Sequence, residues 1–173
     1  MSHPNKTSLI LASIFSLLTA VMGNTVLFWN PDPKNRTIYF SPNLGSAEIP
    51  NQHVASSMVS TTVVTFPQGW GGSFKSVFPQ EDQSAPKIIV EIQFQGWQGL
   101  TYYDISAVNN CCDNSGVRYI SPSNGGPTSG CFTAPFPCGD SYSKPGNIQV
   151  KSSAKVDFVC ALGDITSVGK PIM

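Results

Sequence analysis

Short runs of β-branched and aromatic residues alternate along the chain with stretches rich in Pro, Gly and Asn, and no segment carries a convincing helical period. The runs are Thr25 to Trp29, Thr37 to Phe40, Ser60 to Phe66, Ile88 to Phe94, Val117 to Ile120 and Val156 to Val159, all of strand length and bounded by turn residues. In Val90-Glu91-Ile92-Gln93-Phe94 apolar and polar residues alternate strictly. This period of two sends Val90, Ile92 and Phe94 to a buried face and turns Glu91 and Gln93 toward solvent or a cleft. Ser121 to Gly130 reads as a loop stapled at its end by Cys131. With 14 prolines and 15 glycines to make turns, the pattern predicts an all-β fold, an antiparallel β-sandwich or barrel.

The amino terminus breaks this pattern. Lys6 precedes an apolar or small-residue run, Ser8 to Val21, of about 14 residues, too short to cross a bilayer and suited to the core of a signal peptide. Val21 and Gly23 place compact side chains where signal peptidase needs them, so residues 1–23 are expected to leave by cleavage before Asn24. The alternative is a retained anchor helix. Residues 24–173 then make one domain, without a second apolar stretch of membrane length and without the hydrophobic tail of a lipid-anchor signal. The expected location is secreted, extracellular or in a cell wall.

Ten Lys and Arg stand against ten Asp and Glu, and Lys6 leaves with the leader. No basic run exists, which argues against nucleic acid or an anionic membrane as partner. Cys111, Cys112, Cys131, Cys138 and Cys160 all lie in the C-terminal half. In an oxidising compartment they favour disulfides, and the adjacent pair has no zinc spacing. At most two intrachain bridges and one leftover thiol are expected, with Cys131 joined to Cys138 and Cys160 joined to Cys111 or Cys112. A bridge between the adjacent cysteines themselves is disfavoured because it strains disulfide geometry. Asn35-Arg36-Thr37 is a glycosylation acceptor beside a turn-rich stretch. Neither a metal nor a cofactor is implied.

The chain has no metalloprotease helix motif, no phosphate-cradling loop and no nucleophile elbow. His53, the only histidine after the leader, sits in a polar segment and reads as a solvated turn residue more readily than as a catalytic base. Carboxylates remain. Glu91 and Asp104 lie on neighbouring predicted elements and would suit glycoside hydrolysis if they flanked a sugar cleft. On spacing alone, the plainer alternative of a solvated Glu91 and a turn-capping Asp104 is preferred. Trp70 and Trp97, each among glycines, would stack on sugar rings if exposed and would be ordinary core residues if not.

Leu100-Thr101-Tyr102-Tyr103-Asp104-Ile105-Ser106-Ala107-Val108 resembles the aromatic, Tyr, Asp, Val or Ile, Ser run of the thaumatin-like family. Phe66-Pro67-Gln68-Gly69-Trp70-Gly71-Gly72-Ser73-Phe74 resembles its Trp-Gly turn leading into a strand, and the stretch from Cys138 through Tyr142 to Cys160 resembles its closing segment. Leu27-Phe28-Trp29-Asn30 and Thr37-Ile38-Tyr39-Phe40 are similar to its first two strands. The resemblance implies a reduced, small secreted fungal form with a thaumatin-like sandwich and an acidic cleft.

By that resemblance, Asp104 matches one cleft acid and Glu91 is the nearest candidate for another. Asn109 stands where a second Asp would follow, Val77 where an Arg would be, with Lys75 nearby, and the first-strand cysteine that would pair with the last is missing. The expected function is therefore association with cell-wall or extracellular polysaccharide, β-1,3-glucan above all, without efficient hydrolysis. Glu91, Asp104, Trp97 and Trp70 would hold the ligand. The alternatives are a weak β-1,3-glucanase using Glu91 and Asp104, and a secreted effector-type protein that interacts with another extracellular protein.

Overall fold

The computed structural model describes residues 23–56 and 61–165; apart from Gly23, the expected leader lies outside them. The described residues form β1 (Asn24–Trp29), β2 (Arg36–Pro42), β3 (Gln52–Val54), β4 (Thr61–Phe66), β5 (Gly71–Val77), β6 (Ile89–Gln93), β7 (Thr101–Ser106), β8 (Val117–Pro122), β9 (Ser129–Gly130), β10 (Lys151–Ser153) and β11 (Asp157–Leu162). A 3-10 turn, Trp97–Gly99, connects β6 to β7. No described helix is long and apolar enough to cross a membrane.

The strands form two sheets, one in the order β4-β1-β11-β8-β9 and the other β10-β7-β6-β5-β2-β3. All strand pairs are antiparallel except β1 with β11, which run parallel. The sheets meet through a core of aromatic and branched side chains. Phe28 of β1 stands edge-on to Phe74 of β5 at 5.2 Å between ring centres, and Phe158 of β11 meets Phe94 at 5.9 Å and Tyr103 at 4.8 Å. Each such fully buried apolar side chain contributes about 1.5 to 3 kcal/mol. Val90, Ile92 and Phe94 point into this core and Glu91 points away from it, as their alternation predicts.

β5 and β7 fall outside the expected runs, for different reasons. β5 opens on Gly71-Gly72, and a Cβ on Gly72 would lie 2.6 Å from the Ser41 carbonyl oxygen and 2.7 Å from the Trp70 ring. The glycine lets the strand pass close beneath the indole. β7 shows no alternation because its edge is covered: Tyr142 exchanges backbone hydrogen bonds with Ile105 and Ala107, and β10 pairs farther along. Thr101, Asp104 and Ser106 are consequently buried as well as Tyr103 and Ile105. The expected loop Ser121 to Gly130 is shorter than the sequence suggests, since β8 continues through Pro122 and Ser129–Gly130 form β9.

The cysteines correct one expectation. Cys131 and Cys138 are bridged, but Cys111 and Cys112 are bridged to each other, and Cys160 is a free thiol. Cys111 and Cys112 are exposed in the loop between β7 and β8, whereas Cys160 is sealed in the core opposite Ile120 and Phe28, where neither can reach it. Asn35, the glycosylation candidate, is exposed beside the first turn, and its Oδ1 accepts a 2.8 Å hydrogen bond from the Ser56 N–H. Its neighbour Arg36 is fully buried. The Arg36 guanidinium donates to Asn30 Oδ1, to Asp32 at 2.8 Å and to the Ser115 carbonyl, tying that turn to the loop before β8.

Candidate functional site

Strand pairing alone brings the two predicted carboxylates together. Glu91 of β6 lies directly opposite Asp104 of β7, and the same register continues through Ser73 of β5 to Ser41 of β2. Directly opposed residues share a face of the sheet, so these four make a polar row across its outer surface. A groove of about 280 Å³ follows it, lined by Glu91 and Asp104 with Asn43, Ser73, Gln93, Tyr102 and Val150.

Asp104 is only 6 % exposed, whereas Glu91 opens to solvent. Burial first, then the negative charge of Glu91 and a hydrogen bond with its carboxyl, push the pKa of Asp104 up to about 7. Near neutrality Asp104 therefore retains its proton for a large part of the time. The other acceptor, Asp104 Oδ1, is buried without a hydrogen-bond partner. The neighbouring lysines are otherwise engaged. Lys75 Nζ donates to the Ala85 carbonyl at 3.3 Å, and Lys151 pairs with Asp140 at 3.1 Å.

The two predicted tryptophans separate. Trp97 is 73 % exposed, and its carbonyl accepts a 3.2 Å hydrogen bond from the Tyr102 hydroxyl, which fixes the turn at the groove's end. Trp70 is 1 % exposed, donates its indole N–H to the Ala47 carbonyl at 2.8 Å and packs on Phe66, so it belongs to the core and cannot stack on a ligand. His53 is exposed on the short strand β3 opposite Thr37. Val77 is buried and Asn109 lies in the turn after β7, so neither contributes to the groove. Among the described residues no cluster of three His, Cys, Asp or Glu side chains suits a metal ion.

Sequence reasoning missed Asn43, Ser73 and Val150, which reach the groove from a turn, from the glycine-led strand and from the segment before β10. It also missed the apolar surroundings. Leu44 is fully exposed beside Asn43, Ile148 is 77 % exposed two residues before Val150, and Val150 is itself exposed. The available signal was large apolar residues, Leu44 in one turn-rich region and Ile148 and Val150 in the other, standing among polar and turn residues.

Over 140 residues the chain is 37 % identical to the antigenic protein SchS21 of Stachybotrys chartarum, across 80 % of this chain and 94 % of that one. The chain belongs to the SchS21 family. No model of a known protein family matches it. In three dimensions it is similar to the crystal structure of the protein elicitor MoHrip2 from Magnaporthe oryzae, with a TM-score of 0.62 over 82 % of this chain and 99 % of that one. At 19 % identity this likeness shows a shared fold. These relationships overturn the thaumatin-like resemblance. The SchS21 match spans 80 % of the chain, while the Tyr-Tyr-Asp-Ile-Ser run is explained by its place in β7, with Tyr103 and Ile105 facing the core and Asp104 facing the groove.

Proposed function

We propose that this protein is secreted and acts by recognition, docking another extracellular protein on the outer face of the six-stranded sheet around the Glu91–Asp104 groove. One observation carries the reading. Of the six large apolar side chains exposed among the described residues, Val150 lines this groove, Leu44 follows the groove residue Asn43, Ile148 stands two residues before Val150, and the Trp97 carbonyl holds the hydroxyl of the groove residue Tyr102. Large apolar side chains left exposed in one region of a surface mark a site of protein interaction. Two disulfides suit an extracellular setting, and the names of the relatives, an antigenic protein and a protein elicitor, suit a secreted effector-type protein.

The carboxyl pair favours binding over glycosidase chemistry. A glycosidase holds its two carboxyls about 5 to 9 Å apart with the sugar bond between them. Here the two stand directly opposite each other on adjacent strands, and Asp104 is 6 % exposed, so little of it is open to a sugar bond. A second reading, association with a polysaccharide such as β-1,3-glucan, draws on Trp97 as a stacking platform and on Asn43, Gln93 and Tyr102 as hydroxyl partners. It has lost the aromatic support of Trp70.

Labelled protein applied to intact cells tests the two readings. Binding abolished by brief protease treatment of the cells and lost in a Trp97→Ala, Ile148→Ser double variant is the expected result. Binding that survives protease and disappears after β-1,3-glucanase digestion establishes the polysaccharide reading instead, and release of reducing sugar that is lost in Glu91→Gln establishes a glucanase.

A further inference from the structure

The groove contains an unmet charge requirement. Asp104 lies on its floor, more than nine-tenths buried, with Oδ1 lacking any partner, and Glu91 stands opposite on the neighbouring strand. No ion pair among the described residues reaches either carboxyl. Lys75 faces the same side of the sheet but its Nζ is held by the Ala85 carbonyl, and Lys151 is drawn to Asp140. Of the two tyrosines lining the groove, Tyr102 turns its hydroxyl to the Trp97 carbonyl and Tyr103 donates to the Pro127 carbonyl, and Tyr39 lies opposite Lys75. A buried acceptor without a donor costs about 1 to 3 kcal/mol, which a suitably placed donor from outside recovers.

Resting on the protein-recognition reading, we propose that the groove accepts the side chain of a partner's lysine, with its ammonium between Glu91 and Asp104 and its methylenes along Val150. Charge complementarity selects the cation. The small volume of the groove, about 280 Å³, favours the compact ammonium, and its three N–H donors match the carboxylate oxygens of Asp104 and Glu91. Val150 in the groove, with the exposed Leu44 next to Asn43 and Ile148 close by in sequence, offers the apolar contacts that would exclude water from a central charged anchor. The ammonium and the Asp104 proton compete for one place. Occupancy therefore requires Asp104 to ionise, and affinity falls by up to tenfold per pH unit as the pH drops below about 7.

The test titrates the folded, oxidised protein with the capped pentapeptide Leu-Val-Lys-Val-Leu and with the same peptide carrying Nε-acetyllysine, following the Glu91 and Asp104 carboxyl carbons and the Trp97 indole by NMR. The expected result is saturable shifts at all three residues with the lysine peptide, at least tenfold weaker binding by the acetylated peptide, and at least tenfold loss in Asp104→Asn. Should Asp104→Asn not fold, Glu91→Gln provides the same comparison at an exposed position. Equal binding of both peptides, wild-type affinity in the carboxyl variants, affinity that does not weaken below pH 7, or no shift up to about 10 mM peptide each overturns the lysine anchor. Protease-sensitive cell binding, if seen, would still stand for the docking face itself.

Discussion

Phe28 and Cys160 stand opposite each other in the parallel pairing of β1 with β11, both fully buried in the core between the sheets. The place of a possible cysteine partner is thus taken by a phenyl ring that packs on Phe74. Burial also pushes the Cys160 thiol well above its ordinary pKa. Native protein should therefore leave Cys160 unlabelled by iodoacetamide at pH 8, with labelling appearing on denaturation, as read by intact mass. Cys160→Ser should cost about 1 to 3 kcal/mol in a denaturant titration because it buries a hydroxyl there.

Asp104 makes stability depend on pH. Its folded pKa of about 7 lies above the unfolded value near 4, so the folded state binds the extra proton between them. That contribution is present in full below about pH 4 and is lost as the pH rises through 7, at most on the order of 4 kcal/mol. Asp104→Asn should flatten the fall in denaturation midpoint between pH 5 and 8. An unchanged slope in the variant would assign the effect elsewhere.

The two disulfides should differ in what they contribute. The Cys131–Cys138 bridge closes a loop with a sequence separation of 7, worth about 2 to 3 kcal/mol in chain entropy, whereas Cys111 and Cys112 are adjacent and enclose almost no chain. Replacing Cys131 and Cys138 by Ser should lower the midpoint of urea unfolding clearly, and the same change at Cys111 and Cys112 should lower it by less than about 1 kcal/mol. Non-reducing peptide mapping should place Cys111 and Cys112 in one peptide lighter by two hydrogens.

Tryptophan emission separates groove from core. Iodide should quench the contribution of Trp97 and spare Trp70 and Trp29, and Trp97→Phe should remove the quenchable part with a stability change within about 0.5 kcal/mol. Trp70→Phe should cost about 1 to 3 kcal/mol, since it leaves the Ala47 carbonyl without its donor.

What the sequence made legible follows from which residues act locally. The alternation at Val90 to Phe94 reports its own burial, so both the core positions and the outward-facing Glu91 could be read directly. Asp104 is different: its position opposite Glu91 depends on strand register, and its burial on Tyr142 and Val150, more than 35 residues away. The same holds for Cys160, whose isolation is decided by the placement of β11 beside β1. Trp70 and Trp97 both sit among glycines, yet one glycine stretch lets the sheet pass under an indole while the other forms a protruding turn. The thaumatin-like reading went wrong for a related reason. Aromatic, Asp and β-branched residues in sequence meet the needs of any strand with one face in a core and one on a groove.

The parallel neighbours β1 and β11 are the first and last described strands, and they occupy the middle of their sheet with β4 and β8 outside them. During synthesis β1 is made first, and its partner follows only after more than a hundred further residues, so this sheet cannot close on a growing chain. Until then β1 can pair with β4 on one side, but its other edge stays open. A premature stop before Asp157 therefore leaves β1 without its parallel partner and the five-stranded sheet without its middle.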